Sequence, residues 1–325
     1  MHYLITGGCG FIGSHLTEAL LQSGHRVTIL DDLSTGRLDN IAGFQSRPDL
    51  NIEIGSVTDD EIVERVVSKC DAIFHLASAV GVKLIMERPI QSIDTMVRGT
   101  QTILRLAKQY QCPTLVTSTS EVYGKSKDVP FDEDGDRLEG PTTKHRWAYA
   151  CAKALDEFLA IAYWRTESLP VIVVRLFNTV GPRQTGQYGM VIPSFVQRAL
   201  AGLPIQVFGE GTQTRCFCHV DDVVRGLQQL MSCSEAYGQV INLGSTSEIT
   251  VLGLAEKIID QLKSPSRIER LAYTEVFGEG FEDMQRRVPK IDKIRNLIGW
   301  TPEKDLTCII NDVARAYATD SHVSS

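Results

Sequence analysis

Thr6-Gly7-Gly8-Cys9-Gly10-Phe11-Ile12-Gly13 decides how the chain is read. It follows a short β-rich run, Tyr3-Leu-Ile-Thr6, and opens a stretch in which Ile12, Leu16, Ala19 and Leu20 keep helical spacing. A glycine-rich turn between a strand and a helix N-terminus presents backbone amides to an anion, and a dinucleotide pyrophosphate is the anion such turns hold. Gly7 and Gly10 permit the tight turn and the close backbone approach, while Gly13 lets the helix pack on the strand. Asp31 closes the next β-rich run, Arg26-Val-Thr-Ile-Leu30. A carboxylate there accepts from both ribose hydroxyls and repels a 2′-phosphate, so the expected cofactor is NAD. Asp32 beside it either assists or simply starts the next loop.

Working outward, further β-rich runs at Asn51-Ile-Glu-Ile54, Ala72-Ile-Phe-His-Leu76, Thr114-Leu-Val-Thr117 and Val171-Ile-Val-Val174 alternate with helical patterns. One of these, after Pro89, carries Ile93, Val97, Ile103, Leu104 and Ala107. Alternating βα units with right-handed crossovers predict an α/β, doubly wound Rossmann fold around a parallel sheet. Regularity breaks after residue 177, at Gly181-Pro182 and Gly209-Glu-Gly211. The expected division is a Rossmann domain over 1–176 and a smaller, interleaved lobe mainly over 177–325. A return to the main sheet is expected near 220–243, where Gln239-Val-Ile-Asn-Leu243 reads as a late strand.

Composition narrows the function classes. The 325 residues are 43% hydrophobic and 22% charged, as in ordinary globular proteins. Forty acids against 33 bases leave a net charge of -7, which argues against a general nucleic-acid binder. Eight scattered cysteines do not make a disulfide scaffold, and Cys216-Phe-Cys218 lacks zinc-knuckle spacing, so no metal is expected. Tyr3 already opens an apolar run and no window suits a membrane span, so a cytoplasmic protein without a membrane partner is expected.

Tyr149-Ala-Cys-Ala-Lys153 places a phenol and an ammonium at i and i+4, on one helix face. Ser118-Thr119-Ser120-Glu121-Val122-Tyr123-Gly124 follows the fifth strand at its carboxyl end, the edge where doubly wound folds bind ligands. Lys153 and a nicotinamide cation are expected to pull the Tyr149 phenol down toward working pH, making it a general base and acid for a sugar or alcohol hydroxyl. Thr119 would hydrogen-bond the same oxygen.

With these pieces in view the chain resembles an extended short-chain dehydrogenase/reductase, in the group of NAD-dependent nucleotide-sugar epimerases, dehydratases and decarboxylases. The resemblance spans essentially the whole chain. It rests on Thr6 to Gly13, Asp31, His75-Leu76-Ala77, Ser118 to Gly124, Tyr149/Lys153, Arg175-Leu-Phe-Asn178 with Gly181-Pro-Arg183, and Gly209 to Arg215 followed by His219-Val-Asp-Asp222. It implies that Gly7, Gly10, Phe11, Ile12, Gly13, Asp31, Asp32, Leu76, Ala77, Tyr149 and Lys153 meet NAD. Thr119, Ser120, Glu121, Tyr149 and Lys153 would surround the reacting sugar. Asn178, Thr179, Arg183, Val191, Phe208, Arg215 and Arg287 would hold a UDP-sugar, with Lys83 facing its C6 end. Plainer readings stand beside these: Arg183 and Arg215 as surface cations, Phe208 as a core aromatic, Arg286-Arg287 as a charge pair, His75 as a satisfied core histidine. Ser56 departs from the family pattern, which usually places an adenine-touching Asp there.

Within the group, Ala79-Val-Gly-Val-Lys83 and Gly280-Phe-Glu-Asp-Met284 resemble bacterial UDP-glucuronate 4-epimerases. The expected reaction is therefore 4-epimerisation of UDP-glucuronate to UDP-galacturonate through a 4-keto sugar. Thr119-Ser-Glu-Val-Tyr-Gly124 is equally the pattern of UDP-glucuronate decarboxylases, in which the central role would pass to Glu121 and Arg287. UDP-glucose 4-epimerisation and a non-catalytic NAD sensor also stay open. Relatives in this group pair as homodimers through the helix carrying Tyr149, and Leu155, Phe158, Leu159 and Ala162 suit that.

Overall fold

Apolar runs too short for helices, fenced by glycine, aspartate and proline, form the central sheet of this computed structural model. It describes residues 1–78, 89–144, 146–186, 190–272 and 284–323, without the side chains of 146 and 319–323. The strands begin with β1 (His2–Thr6), β2 (Arg26–Asp31), β3 (Leu50–Ile54), β4 (Ala72–His75), β5 (Thr114–Thr119) and β6 (Val171–Leu176). The chain then runs through the short β7 (Thr179–Val180), β8 (Ile205–Phe208), β9 (Thr214–Cys216) and β10 (Cys218–His219). Next β11 (Gln239–Leu243) joins the main sheet, and β12 (Glu248–Thr250) and β13 (Ile268–Leu271) follow. The main sheet has seven strands in the order β11-β6-β5-β4-β1-β2-β3, and every pairing is parallel. The order reverses direction between β1 and β4, the crevice where such sheets bind ligands.

The helices are α1 (Phe11–Gln22), α2 (Asp60–Val67), α3 (Pro89–Tyr110), α4 (Arg146–Glu167), α5 (Val191–Leu200), α6 (Val220–Met231), α7 (Val251–Leu262), α8 (Asp292–Ile298) and α9 (Leu306–Val323). Alternation along the strands divides the core: Tyr3 and Ile5 pack with Leu16 of α1 and Leu227 of α6, whereas Leu4 packs with Val63 of α2 and Ile103 of α3. A third cluster, with Phe195, Ile205, Leu254 and Ile309, holds the lobe built on α5, β8, α7 and α9. None of the described helices is long and apolar enough to cross a membrane.

A polar cluster inside the apolar core fastens α4 to the sheet. The Glu157 carboxylate accepts from Arg175 Nε at 3.0 Å and Arg175 Nη2 at 2.7 Å, and from the Ser118 hydroxyl, with all three residues buried. Arg175 Nη1 donates to the Glu133 carbonyl at 3.1 Å, and its guanidinium lies 4.7 Å over the Tyr123 ring. Tyr123 in turn donates to Asn242 Oδ1 of β11 at 2.7 Å. Removing one member of a buried ion pair leaves its partner charged and unsolvated. Glu157→Gln is expected to destabilise the protein by about 3 kcal/mol, read as a lower urea midpoint with an unchanged slope.

Candidate active site

Gly10 is the N-cap of α1 and has no side-chain cap, so the first amides of the helix face the crevice. Gly7 has a φ of +72° that only glycine adopts without strain, and a Cβ there would lie 2.9 Å from the Ala77 amide nitrogen. A Cβ on Gly13 would come within 2.1 Å of the Gly7 carbonyl. The turn is locked to β4 by Thr6, whose carbonyl accepts from the Leu76 amide at 3.1 Å and whose hydroxyl accepts from the Ala77 amide at 3.1 Å. Phe11 and Ile12 pack their side chains on the core at the start of α1. Asp31 is 6% exposed at the end of β2. Its two carboxylate oxygens accept from Cys9 N and Leu33 N, each at 2.9 Å. Burial pushes its pKa up and the two amides oppose that. Each oxygen keeps lone pairs for a diol. The bare turn and this oriented carboxylate suit a dinucleotide, and the cofactor is NAD.

Two neighbouring residues close local turns. Asp32 caps its own loop, accepting from Ser34 N at 2.9 Å and Ser34 Oγ at 2.6 Å. Ser56 likewise closes a local turn with Thr58. His75 is the satisfied core histidine of the plainer reading. Its Nδ1 lies 2.8 Å from Thr6 Oγ1 and its Nε2 3.1 Å from Thr100 Oγ1, and burial followed by the Lys153 charge pushes its pKa down to about 3.

Thr119 ends β5 and caps the 3-10 turn Ser120–Tyr123, its hydroxyl accepting from the Glu121 amide at 3.2 Å. Ser120 is buried in that turn. Helix α4 brings Tyr149 opposite, where Thr119 hydrogen-bonds the phenol. The protein's own groups work against the expected lowering of the Tyr149 pKa. Burial first, and the Glu121 carboxylate second, push it above the ordinary tyrosine value, with Thr119 opposing and Asp156 adding to the rise. The smaller contribution comes from an acid that sequence reading missed: Lys153 Nζ donates to Asp156 Oδ2 at 2.9 Å, with both side chains at most 4% exposed. Its spacing, i+3 from Lys153, was the available signal.

On the facing side, Arg287 Nη2 lies 2.5 Å from Glu121 Oε1, and Nη1 donates to Asn178 Oδ1 at 3.3 Å. Among the described residues, the buried Arg287 Nε has no hydrogen-bond partner, and neither has Thr179 Oγ1. Asn178, at φ +32°, also donates to the Cys216 carbonyl at 2.8 Å. The structure therefore brings together Thr119, Glu121, Tyr149, Asn178 and Arg287. Arg183 is held elsewhere: Glu18 of α1 takes its guanidinium, which also lies 5.7 Å over the Phe44 ring. Val191, Phe208 and Arg215 stand on α5, β8 and β9 of the lobe, with Arg215 buried and donating to the Thr214 carbonyl. Lys83 lies outside the described residues.

Comparison with known proteins agrees with this geometry. Residues 4–313 match the family described as GDP-mannose 4,6 dehydratase. A UDP-N-acetyl-alpha-D-glucosaminuronate decarboxylase of Bacillus cytotoxicus is 40% identical over 302 residues, 92% of either chain. UDP-glucuronic acid decarboxylase 1 of Danio rerio is 38% identical over 299 residues, 92% of this chain and 68% of that one. The structure of a UDP-glucose 4-epimerase of Thermotoga maritima with UDP-glucose superposes with a TM-score of 0.89 at 26% identity, covering 99% of this chain and 100% of that one.

The phosphate turn gives a direct test. Because a methyl at position 13 would collide with the Gly7 carbonyl, Gly13→Ala is expected to weaken NAD binding at least about tenfold by calorimetric titration, while the thermal unfolding transition is retained.

Proposed function

This chain belongs to the GDP-mannose 4,6 dehydratase family, and on that premise we propose that it decarboxylates a UDP-hexuronate, UDP-glucuronate or its 2-acetamido counterpart, to a UDP-pentose. The carrying observation is the Arg287–Glu121 pair, 2.5 Å apart against Thr119 and the Tyr149 phenol. A guanidinium is the group that grips a carboxylate, and Arg287 retains an unpartnered Nε for it. The relatives that act on uronates by decarboxylation support the same reading.

The chemistry needs little more than these side chains. NAD, when bound, accepts a hydride from sugar C4 and later returns it. Tyr149, its own phenol proton released to solvent, takes the O4 proton during oxidation, leaving a ketone β to the C6 carboxylate. The C5–C6 bond then breaks, C6 departs as CO2, and the electron pair passes into the C4 carbonyl as an enolate whose oxygen is held by Tyr149 and Thr119. Arg287 orients the carboxylate for that cleavage. Glu121, a like charge beside it, favours departure as neutral CO2, and C5 then takes a proton from solvent. Tyr149 returns its proton to O4 as C4 is reduced. Asp31 and the Gly7–Gly13 turn would hold the dinucleotide, while Asn178, Phe208 and Arg215 are the proposed hold on the UDP group.

A second reading, 4-epimerisation, is favoured by the likeness to the Thermotoga maritima enzyme. The sequence pieces that suggested it, 79–83 and 280–283, lie outside the described residues.

We propose further that two chains pair through α3 and α4. Leu155, Phe158 and Ala162 form an exposed stripe at helical spacing, with Phe158 65% and Leu155 51% exposed, and Ile90 on α3 is 85% exposed.

Four outcomes are expected. With C6-labelled UDP-glucuronate or its 2-acetamido counterpart and NAD, carbon-13 NMR should show label appearing as bicarbonate beside an unlabelled UDP-pentose; label retained in UDP-galacturonate would establish the epimerase instead. Tyr149→Phe should lower turnover by about 10²–10⁴, and Arg287→Gln should reduce CO2 release more than it reduces NADH formation. Light scattering should give twice the 36.0 kDa chain mass, falling to the monomer in Phe158→Asp.

A further inference from the structure

Three residues of α4 share one face: Tyr149, Lys153 four residues on, and Asp156 three beyond that. The first two are placed in the reaction above; Asp156 is not used by it. Asp156 is 1% exposed, which is costly for a carboxylate unless a partner repays the lost hydration. The charged partner is Lys153 Nζ at 2.9 Å, and the Thr100 hydroxyl also hydrogen-bonds the carboxylate. An ammonium has three donors, so Asp156 engages one and leaves two directed elsewhere. Behind the pair runs a buried polar string, Thr6 to His75 to Thr100, which ties α3, β4 and β1 together at the foot of the cofactor turn. His75 is held neutral there, leaving Asp156 as the counter-charge to Lys153.

We propose that Asp156 is the positioning residue for Lys153: its carboxylate pins the ammonium on the Tyr149 face of α4 and offsets part of its charge, so the phenol exchanges protons in a nearly neutral setting. This rests on Tyr149 being the proton-transfer group of the proposed reaction. The charged and titratable groups facing this cluster are Glu121 from the turn after β5, with Arg287 paired to it, His75 from β4, and Asp156 and Glu157 from α4 itself. Glu121 and Asp156 both hold the phenol proton on, and burial adds to them. Removing Asp156 deletes one of these influences and exposes Tyr149 to the uncompensated Lys153 charge, so both changes lower the pH at which the phenol ionises.

The test uses the full-length protein saturated with NAD and labelled with carbon-13 at tyrosine Cζ. NMR titration through the neutral and alkaline range reads the Tyr149 midpoint, and Tyr149→Phe assigns the resonance. Asp156→Asn, isosteric and neutral, is expected to lower the midpoint by about one pH unit and to move the acid limb of the turnover profile the same way. Asp156→Ser removes the charge in a smaller side chain and should move it equally, serving if the Asn variant does not fold. Asp156→Glu keeps the charge and should leave the midpoint within about 0.3 units of wild type. An unmoved midpoint in the neutral variants, or an equal shift in the Glu variant, would overturn the proposal. Failure of the reaction assignment is separate: Tyr149→Phe would then retain turnover whatever the midpoints do.

Discussion

A buried carboxylate has to be paired, and the pairing of Glu157 with Arg175 governs where the reactive side chains stand. Glu157 lies on α4 and Arg175 on β6, and the Ser118 hydroxyl of β5 closes the contact from the side. Three elements far apart in the chain are thereby held at one point. Tyr149 and Lys153 ride on the same helix, two turns and one turn earlier, so their distance from the end of β5 follows from this clamp. Such pairs add little net stability over apolar packing, but they admit only one geometry, because any other leaves a charge stranded.

Charge compensation recurs along that wall. Glu157 meets Arg175, Asp156 meets Lys153, and Glu121 meets Arg287. Each cation that the chemistry invokes already has a carboxylate beside it. The consequence is that the phenol is not ionised by its surroundings in advance, since burial and Glu121 keep its proton on. In the proposed reaction ionisation is left to the moment when a positive nicotinamide and a sugar hydroxyl are both in place, which would couple proton removal to loss of the hydride. A permanently ionised phenol in a buried crevice would carry the desolvation cost throughout.

Epimerisation and decarboxylation share their first step, and a 4-keto uronate loses CO2 readily. What separates them is the hold on C6. In the proposed reaction the residues of the main sheet serve C4 and the cofactor and do not make that distinction. It falls to Glu121 on the turn after β5 and to Arg287, which enters from the far end of the chain through Asn178. The lobe thus contributes more than a cover: it supplies the cation that sits against the acid of the Rossmann half.

Sequence by itself determined the parts that are local. The glycines at 7, 10 and 13, the acid at the end of β2 and the alternation of β-rich and helical runs each answer to backbone geometry within a few residues, so the doubly wound sheet, the NAD cradle and the Tyr149/Lys153 face were legible directly. Even β11, whose Gln239–Leu243 run reads as a strand, could be foreseen, although its place beside β6 is a tertiary fact. Partnership was not legible. Asp31 and Asp32 are adjacent and alike in sequence, yet one holds Cys9 N at the cradle and the other caps Ser34. Arg183 and Arg287 both look like phosphate or carboxylate grips, yet Glu18 takes the first and Glu121 the second. The sign of the Tyr149 shift depended first on burial and then on Glu121, which stands on the turn after a separate strand. Electrostatic partners are chosen by distance through space and by the loss of water around them, and neither quantity exists until the chain has folded.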